Sequence, residues 1–353
     1  MESSDEQVVR TLMRHRRLTR AELATEIGIS KPTAGESVRR LTERGLVADT
    51  GERTPGGRGR GRVGSYYALS PTVGVALAVT IAPEGVVAEC LDIYGDTVGR
   101  AVHPADPTDL AAAVTAATAQ ARGEGGPPVR LAVVGAADPV DRATGRLVHL
   151  PDAPFLVGEL DPVAVLGPYV DGPIVVDNDV NWAARAERPA DGAGDFAYLY
   201  LGEGLGCAIV SDGEVRRGHT GLAGEIAHLL TAGPGGRAVR FIEVFGELGL
   251  RREGGSGTAI DVGRLLASGT ATHEVIGAAV GGVVAAVIAL ADPREVVVGG
   301  PWGPALAGVI RAATERMPRH VPVRAATVTG EPVLGGVRAE ALDRLRALVA
   351  AGG

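Results

Sequence analysis

One stretch of eleven residues, Gly218-His-Thr-Gly-Leu-Ala-Gly-Glu-Ile-Ala-His228, constrains this chain more than any other. The stretch contains three glycines, which have no side chain, and then Glu225 and His228, which are three residues apart. On a helix, that spacing places both side chains on one face, where they can hold one small ligand. A carboxylate beside an imidazole accepts from and donates to hydroxyls, which suits a polyhydroxyl compound. The alternative is an ordinary helix N-terminus with a Glu that favours the helix dipole and a surface His.

The bulk composition predicts two or three domains with an aliphatic core. The chain has 353 residues, of which 45% are apolar and 3% aromatic, so the core must be built from Ala, Val, Leu and Ile. Cys90 and Cys207 are far apart in sequence, which argues against a disulfide scaffold and favours a reducing compartment. The acidic N-terminus lacks a signal peptide, and the apolar run Val275–Leu290 is predicted to be a buried helix too short to span a bilayer. We therefore expect a cytoplasmic protein without a membrane partner.

The net charge of −7 is distributed unevenly along the chain. Residues 1–70 carry 13 basic and 9 acidic side chains, a net charge of +4. The remaining residues carry 22 basic and 33 acidic side chains, a net charge of −11. We call residues 1–70 the head and the remaining residues the body. A basic head and an acidic body indicate that only the head binds a polyanion.

The head has the pattern of a helix-turn-helix. A first amphipathic helix is predicted over Ser4–His15, and a short helix over Ala21–Ile27 ends at Gly28. Ser30 caps the next helix, which has Pro32 in its first turn. Two short helices joined by a turn with Gly place the second in the major groove of DNA. The alternative is a small helical domain that contacts protein.

A loop rich in arginine and glycine follows the second helix. Two short predicted strands, Leu46–Asp49 and Ser65–Leu69, flank it, as in the wing of a winged helix. Arginines between glycines are slim enough to enter a minor groove, although the same loop could be a solvated linker. The residues predicted to contact DNA are Lys31, Thr33, Ser37, Arg39, Arg40, Arg58, Arg60 and Arg62.

Beyond Pro71-Thr72, strands and helices form two successive α/β units, which predicts two lobes with a cleft between them. Strands are predicted over Val73–Thr80, Val86–Asp92, Val129–Val134, Ile174–Val176, Phe196–Leu201, Cys207–Ser211 and Glu295–Val298, and helices over Leu110–Arg122, Val180–Glu187, Ala305–Arg316 and Ala339–Ala350. Asn178 and Asp179 follow the strand that ends near Val176. Ligands of α/β sheets bind at the carboxyl ends of strands, so this pair is a candidate for binding or chemistry. One of the two is also expected to cap the following helix.

Taken together, the motifs of the body resemble those of the ROK family of repressors, open reading frames and sugar kinases. The matching pieces are Asp138-Pro-Val-Asp141 with Gly145, Val176-Asp-Asn-Asp-Val-Asn181, Asp212-Gly-Glu-Val-Arg-Arg-Gly218 and Gly221-Leu-Ala-Gly-Glu-Ile-Ala-His228. The resemblance covers nearly the whole chain and implies an α/β fold class: a winged helix-turn-helix followed by a two-lobed actin-like fold. The implied domains are the head at residues 1–70 with its wing at 51–64, a first lobe at 71–185 joined by the C-terminal helix 339–350, and a second lobe at 186–338.

The resemblance also implies which residues hold a sugar. The family's sugar contacts fall on Asn178, Asp179, Glu225, His228 and Glu243, with Glu247 as an alternative to Glu243. In the kinases of the family, the residue that matches Asp179 is the general base on the sugar hydroxyl. A carboxylate can hold a sugar without deprotonating it. The presence of Asp179 is therefore compatible with catalysis but does not demonstrate it.

Three departures from the family pattern bear on activity. The first phosphate loop is replaced by Thr80-Ile-Ala-Pro-Glu84, and the second reads Gly202-Glu-Gly-Leu-Gly206, so a carboxylate stands in each place where a phosphate would sit. No lysine compensates, and phosphoryl transfer would lack its electrostatic clamp. The family's zinc cysteines are missing from Gly233–Phe241, which would leave His228 free to face a ligand and the loop held by Phe241, Ile242 and Phe245.

These observations predict a DNA-binding transcriptional regulator, a repressor of sugar metabolism genes, and not an enzyme. It would bind a two-fold symmetric operator as a homo-oligomer, sense a sugar or sugar derivative in the cleft, and need no cofactor or metal. Two alternatives remain open from the sequence. One is an active ATP-dependent sugar kinase with a DNA-binding head, and the other is a regulator whose body binds no ligand.

Overall fold

The computed structural model describes residues 3–54, 64–105, 109–148, 160–188, 194–253 and 258–352. Within these residues the chain forms a small head and two sheet-based lobes. The two lobe sheets have five strands each. This arrangement agrees with the predicted α/β class, with a winged helix-turn-helix in front of two lobes.

The head is built from three helices and a three-stranded sheet in which the last strand lies in the middle. Its elements are α1 (Ser4–His15), β1 (Arg17–Thr19), α2 (Arg20–Ile27), α3 (Lys31–Glu43), β2 (Val47–Arg53) and β3 (Ser65–Leu69). Thr19 and Glu22 form a capping box at the start of α2, and Gly28 ends that helix at φ +77°. The Ser30 side chain caps α3 by accepting from the amide of Thr33. These caps fix the turn between α2 and α3, as the sequence predicts.

The first lobe contains a mixed sheet in the order β6-β5-β4-β7-β8. Its elements are β4 (Val75–Ala82), β5 (Gly85–Leu91), β6 (Thr97–His103), α4 (Leu110–Arg122), β7 (Val129–Ala136), α5 (Pro162–Leu166), β8 (Ile174–Asn178) and α6 (Asp179–Ala186). β4, β7 and β8 are parallel, and β5 and β6 run antiparallel to them on one edge. The parallel strands therefore bring the residues after β7 and β8 to the same edge of the sheet.

The second lobe repeats the plan with a sheet in the order β11-β10-β9-β14-β15. Its elements are β9 (Phe196–Leu201), β10 (Leu205–Ser211), β11 (Glu214–Val215), β12 (Leu230–Ala232), β13 (Ala238–Arg240), α7 (Phe241–Glu247), α8 (Val262–Leu266), α9 (Thr270–Ala291), β14 (Glu295–Gly299), α10 (Gly303–Thr314), β15 (Val323–Ala325) and, after this lobe, α11 (Pro332–Ala351). Apolar side chains of α7, α9 and α10 cover the sheet and form the largest core of the molecule.

Helix α9 corrects one prediction about the apolar run near residue 280. The helix begins at Thr270 and has 22 residues, so by length and composition it could cross a membrane. The statement that it is too short was therefore wrong, because the helix starts five residues before the apolar run. Half of its most apolar stretch is buried inside the protein, where the helix packs against α10 and β12. The prediction of a buried core helix agrees with this packing.

Helix α11 joins the three parts of the molecule. It begins seven residues earlier than predicted and packs against β4, β7 and α6 of the first lobe. Its C-terminal half also contacts α1 of the head, and the two share one apolar cluster. A second contact to the head is made by Tyr94, whose hydroxyl donates to the carbonyl of Arg16 at 3.1 Å. The head therefore rests on the first lobe along α11 and the β5–β6 turn.

Glu187 ties the end of α6 to the segment that leads into α11. Its buried carboxylate accepts from the Arg324 guanidinium at 3.1 Å and from the amides of Thr327 and Val328 at 2.6 Å each. We expect Glu187→Ala to lower the free energy of unfolding by about 3 kcal/mol, because it leaves the amides of Thr327 and Val328 without their acceptor and removes one of the two carboxylates that pair with Arg324. Glu315→Ala, an exposed acid on the same lobe as Arg324, is the control, and it should change the unfolding free energy by less than ~0.5 kcal/mol. Urea unfolding of both variants checks this, and equal midpoints would contradict it.

Candidate functional site

A cleft of about 750 Å³ lies between the two lobes. Its walls come from the β4–β5 turn, the residues after β7 and β8, the β9–β10 turn, the segment before β12 and the start of α11. The polar side chains that line it include Glu84, Asp138, Asn178, Asp179, Asn181, Tyr200, Glu203, Glu225, His228 and Arg252. Its volume is within the usual range of small-molecule sites, roughly 300–1,000 Å³.

The first lobe places Asn178 and Asp179 at the carboxyl end of β8. The Asn178 side chain accepts from the amide of Val180 at 2.9 Å, so it caps α6 as the sequence allowed. Its amide nitrogen donates to the carbonyl of Asp138 at 3.2 Å, which joins the ends of β7 and β8. Asp179 begins the helix and accepts from the same Val180 amide at 2.7 Å. Both predicted residues line the cleft, but one face of Asn178 is occupied by this structural role.

The stretch Gly218–His228 lines the second lobe's side of the cleft, but it is not an α-helix. It forms an irregular loop that ends in a single 3₁₀ turn over Ile226–His228. Gly224 has φ +101°, and its carbonyl accepts from the amide of Cys207 on β10 at 3.0 Å. A Cβ at Gly224 would overlap the carbonyl of Cys207, so only glycine allows this close approach. The predicted helix was therefore wrong, although Glu225 and His228 both line the cleft.

Burial perturbs the acids of the cleft. Desolvation raises the pKa of Asp179 to about 7, and the nearby charges of Glu225, Asp138 and Glu84 add to the shift. Desolvation also raises the pKa of Glu225 to about 7, with Asp138 contributing. Near neutral pH each of these two carboxyl groups therefore exists in both protonation states. A protonated carboxyl donates to a hydroxyl and a carboxylate accepts from one, so the cleft can pair with a polyhydroxyl ligand from several sides.

The side of the cleft where the kinases of the resembled family hold phosphate carries opposing charges. Glu84 and Glu203 both line the cleft, as their positions in the sequence predict. Arg252 also lies there and forms an ion pair with Glu203, a cation that the sequence analysis overlooked. The pair is about half exposed at the arginine, and it offsets the charge of Glu203.

Glu243 does not line the cleft, which corrects one predicted sugar contact. It is the third residue of α7, exposed, and its carboxylate accepts from the amide of Arg240 at 3.3 Å. The alternative, Glu247, pairs with Arg237 at 2.9 Å and also lies outside the cleft. The residues that face inward from this helix are apolar, and the cleft side chain is Ile242. A carboxylate that caps its own helix is turned away from the cleft.

Aromatic packing holds the segment where the resembled family carries its zinc loop. Phe241 and Phe245 are fully buried, and Phe245 packs against Trp302 in a tilted arrangement with ring centroids 5.7 Å apart. Before them, β12 and β13 pair as a two-stranded ribbon. Packing by Phe241, Ile242 and Phe245 agrees with the prediction. Among the described residues, no group of three or more His, Cys, Asp or Glu side chains is arranged to hold a metal ion.

Sequence reasoning missed Asp138 and Arg252 as cleft residues. Asp138 lies two residues after the end of β7, at the same sheet edge as Asn178, and it is 1% exposed. Its position after a buried strand was a signal that could have identified it, as it identified Asp179. Arg252 gave no comparable signal, because its partner Glu203 is 49 residues away in the sequence.

The structure places the predicted DNA-contact residues of α3 on different faces of the helix. Lys31, Thr33 and Arg39 are exposed. Ser37, in contrast, is fully buried and donates to the hydroxyl of Ser4 at 2.9 Å. Its position in the helix places it with the apolar residues of the buried face, where a small hydroxyl with a partner is tolerated. Ser37 is therefore part of the head's core and cannot touch DNA.

Arg40 is also turned toward the head itself. Its guanidinium makes two bonds to the carboxylate of Asp5 on α1, at 3.0 and 2.6 Å, and this pairing lowers the pKa of Asp5. Arg39 points outward and pairs with Glu36 at 2.5 Å, an exposed contact that costs little to exchange for a phosphate. Arg40 thus joins α1 to α3, although its side chain is still 40% exposed, against 53% for Arg39.

The remaining predicted DNA contacts, Arg58, Arg60 and Arg62, lie outside the described residues. Strand β1, which pairs with the strand that follows their loop, carries a further cation. Arg17 on β1 pairs with Glu52 and lies over the ring of Tyr66, 5.4 Å from its centroid. β2 contacts α3, and β3 contacts α2.

Comparison with known proteins identifies two regions of the chain. Residues 1–48 match a winged helix-turn-helix DNA-binding model, and residues 107–244 match the ROK family model. A putative xylose repressor of Caldicellulosiruptor sp. (strain Rt8B.4) is 22% identical over 233 residues, which are 63% of this chain and 57% of the relative. A glucokinase of Halalkalibacterium halodurans is 42% identical over 67 residues, 18% of this chain and 20% of the relative. The chain thus spans between a fifth and three-fifths of these relatives.

One solved structure has the same overall architecture from end to end. It is a ROK family transcriptional regulator described as a homologue of the E. coli MLC protein, and it aligns with 99% of this chain and 100% of its own at a TM-score of 0.63 and 16% identity. At this identity the likeness concerns the fold. Together with the two sequence matches, it confirms the resemblance drawn from the motifs. Residues 107–244 therefore carry a ROK family domain, and a winged helix-turn-helix precedes it at the N-terminus.

Proposed function

We propose that this protein is a transcriptional repressor of sugar metabolism genes that binds a sugar or sugar derivative in the interlobe cleft without phosphorylating it. The repressor acts in the cytoplasm as a homo-oligomer on a two-fold symmetric operator. Sugar binding changes how the lobes close and thereby changes the placement of the heads. The fold supports this proposal because a DNA-binding head and a polar cleft belong to one chain.

The observation that carries the proposal is the course of α11. Pro332, Val333 and Leu334 at its N-terminal end line the cleft. The helix then crosses the first lobe and contacts α1 of the head. A helix of 20 residues is about 30 Å long and moves as a rigid rod. A ligand that shifts the start of α11 therefore has a direct mechanical route to the DNA-binding head.

DNA binding is tested first on the intact chain. Fluorescence anisotropy with the DNA upstream of the protein's own coding region should show an affinity that falls steeply as salt rises, since neutralised phosphates release counterions. Lys31→Ala should weaken operator binding by about five- to ten-fold and flatten the salt dependence by about one contact. Arg311→Ala, an exposed arginine on α10 of the second lobe, is the control and should bind as the parent does. Affinity that does not depend on salt, or that survives Lys31→Ala unchanged, would count against the proposal.

The single lysine of the chain permits an independent test. Lys31 is the only lysine among the 353 residues, and it is exposed at the start of α3. Acylation followed by mass spectrometry therefore reports on one side chain besides the N-terminal amine. Operator DNA should protect Lys31, whereas the same length of unrelated DNA at high salt should not. Equal labelling with and without operator would show that α3 does not face the DNA.

Ligand binding is tested by thermal shift against a panel of sugars and sugar derivatives, phosphorylated ones included. A ligand that binds the folded protein raises its Tm by mass action. Glu225→Gln and Asp179→Asn should each weaken the binding of any sugar found by about ten-fold or more, because each loses a charge-assisted hydrogen bond to a hydroxyl. Glu243→Gln is the matched control, since Glu243 lies outside the cleft. If no compound of the panel raises the Tm, the result favours a regulator whose body binds no ligand.

One observation favours the kinase alternative. A carboxyl with a pKa of about 7, as burial gives Asp179, is suited to act as a general base near neutral pH. The carboxylate of Glu84 at the phosphate side opposes that interpretation, whereas Arg252 offsets the charge of Glu203. Release of ADP from ATP across a panel of hexoses decides between them. If the parent protein turns over ATP and Asp179→Asn abolishes this turnover, the protein is a sugar kinase with a DNA-binding head and not a sensor.

A further inference from the structure

The side chains that line the interlobe cleft include many more acids than bases. Six carboxylates line it, from Glu84, Asp138, Asp179, Glu203, Glu225 and Glu331. Within the described residues, Arg252 is the one arginine of the lining, and no lysine belongs to it. Glu203 pairs with Arg252, and Glu331 pairs with Arg100 at 3.0 Å. Neither pair includes the other four acids, so the cleft as a whole has a negative potential.

Asp179 lies at the centre of this negative potential. Burial is the main reason for its raised pKa, and the charges of Glu225, Asp138 and Glu84 raise that pKa further. Burial also raises the pKa of the Tyr200 hydroxyl, and the charge of Asp179 adds to this shift. Because like charges act on a pKa only over short separations, these acids of the two lobes are close to one another.

Asp179 and Glu225 have hydrogen-bonding capacity left for a ligand. The Asp179 carboxylate accepts from the amide of Val180 at 2.7 Å. The Glu225 carboxylate makes no hydrogen bond or ion pair within the part of the chain that the structure describes. A carboxylate has about four lone-pair positions for donors. Both side chains can therefore accept several hydrogen bonds from one bound molecule.

The charge of the ligand determines how well the cleft can close on it. A ligand that fills the cleft expels water, and repulsion between carboxylates becomes stronger as the local dielectric falls. A neutral sugar donates hydroxyl hydrogens but brings no charge to offset this repulsion. An ammonium group brings three donors and a positive charge. Within the described residues, no three metal-binding side chains are grouped to hold a metal ion, which favours a cation on a larger organic molecule.

We propose that the cleft selects an amino sugar, a sugar with a free ammonium group, and that Asp179 and Glu225 receive this group. This choice of ligand rests on the proposed sugar-sensing function and names its chemical class. Asp138 and Glu84 strengthen the binding through their charge. An acylated amine is neutral, so the cleft distinguishes a free amine from its N-acetyl derivative as well as from the parent sugar.

Binding of the ammonium group strengthens as the pH rises from 5 to 7. Asp179 and Glu225 ionise over this range, because burial raises the pKa of each to about 7. The ammonium stays largely protonated, as an α-amino group with a pKa of roughly 8 does. A proton on the imidazole of His228 would repel the ligand and thus act in the same direction. The other charged or titratable groups that face the site are Glu84, Asp138, Tyr200, Glu203, Arg252 and Glu331.

Isothermal titration of the full chain at pH 5, 6 and 7 tests the proposal. The probes are D-glucosamine, D-galactosamine and D-mannosamine, each compared with its parent hexose and its N-acetyl derivative. At pH 7 we expect one amine to bind about ten-fold or more tightly than both of its neutral counterparts. This ratio of affinities should fall by about ten-fold toward pH 5, as the two carboxyl groups take up protons.

Variants separate the recognition of charge from a general loss of binding. Glu225→Gln should lower the ratio of amine to hexose affinity by about ten-fold, and not only the affinity for both. Glu84→Gln should lower the same ratio by about three-fold through its charge alone. Glu243→Gln is the matched control, because Glu243 lies outside the cleft, and it should keep the ratio of the parent protein. Circular dichroism and Tm measurements confirm that each variant is folded.

The same titrations distinguish failure of the ligand class from failure of the sensor. If a hexose or an N-acetyl derivative binds as tightly as its amine at pH 7, or if the ratio is the same at pH 5, the sensor stands and the ammonium site is wrong. The ammonium site is also wrong if both cleft variants keep the parent ratio, or if Glu243→Gln lowers it equally. Tighter binding of a phosphorylated hexose than of every amine would assign the ligand's charge to Arg252 and overturn the proposal. If no sugar of the set binds, both the amino-sugar site and the sensor are overturned.

Discussion

Gly224→Ala is expected to lower the free energy of unfolding by about 3 kcal/mol or more and to remove ligand binding from the cleft. At φ +101° an L side chain is already strained, and here its Cβ would overlap the carbonyl of Cys207. To relieve this overlap, the loop must move away from β10, which breaks the hydrogen bond from the Cys207 amide to the Gly224 carbonyl. Glu225 is the next residue, so its carboxylate would leave the cleft together with the loop.

Gly235→Ala separates the overlap from the ordinary cost of losing a glycine. Gly235 has φ +74°, and nothing lies within 4 Å of the Cβ position. Its replacement should cost about 1 kcal/mol, the usual penalty for a left-handed alanine, and leave ligand binding intact. Urea unfolding and thermal shift with a sugar that binds the parent protein measure both effects. If the two variants lose the same stability, the close approach at Gly224 does not position the loop.

The sequence predicted best those elements whose ends are set by local caps. α1 and α4 have the predicted boundaries, because Ser3 and Asp109 accept from amides in the first turn of each helix. The edge strand β6 was not predicted. Its residues Thr97–His103 are largely exposed and lack the alternation of a half-buried strand. Its place in the sheet depends on pairing with β5, which is a tertiary contact.

The site residues were predicted correctly where they lie at the ends of strands. They were missed where tertiary packing determines their position. Asn178 and Asp179 follow a strand, and the sheet brings them to the cleft as expected. The helix expected at Glu225 does not form, because glycines at positive φ carry the loop past β10. Ser37 shows the same limit in the head, since a hydroxyl on an apolar stripe can be buried when a partner such as Ser4 is provided by another helix.

The buried acids of the cleft lower the stability of the folded protein. We expect such a loss of stability to be retained only where a ligand needs these carboxyl groups. Asp138, Asp179 and Glu225 lie close together, and among the described residues no guanidinium is hydrogen-bonded to Asp179. Natural proteins keep such destabilising groups at functional sites. The cost itself can be measured, and its dependence on pH has a definite sign.

The sign follows from the direction of the pKa shifts. Burial raises the pKa of Asp179 from 3.8 to about 7 and that of Glu225 from 4.5 to about 7. Between these limits the folded protein binds protons that the unfolded chain has released. The stability that these groups contribute is therefore fully present below about pH 4, and it is lost as the pH rises through 7. The parent protein should be less stable at pH 8 than at pH 5.

Asp179→Asn should remove much of this loss. At pH 8 we expect the variant to be more stable than the parent by about 2 to 4 kcal/mol, since a shift of one pKa unit corresponds to about 1.4 kcal/mol and part of the charge remains solvated. The two proteins should converge as the pH falls toward 4. Urea unfolding at pH 5, 6, 7 and 8 measures the difference at each pH.

Asp161→Asn is the control, because its carboxylate has the opposite shift. Asp161 caps α5, and its bond from the amide of Ala164 lowers its pKa. Its replacement should therefore change the stability by the same amount at every pH from 5 to 8. If Asp179→Asn also gives a profile parallel to that of the parent, Asp179 is not desolvated in the folded protein. If instead the variant gains stability at pH 8 and loses the sugar, the carboxylate is kept at a cost in stability because the ligand requires it.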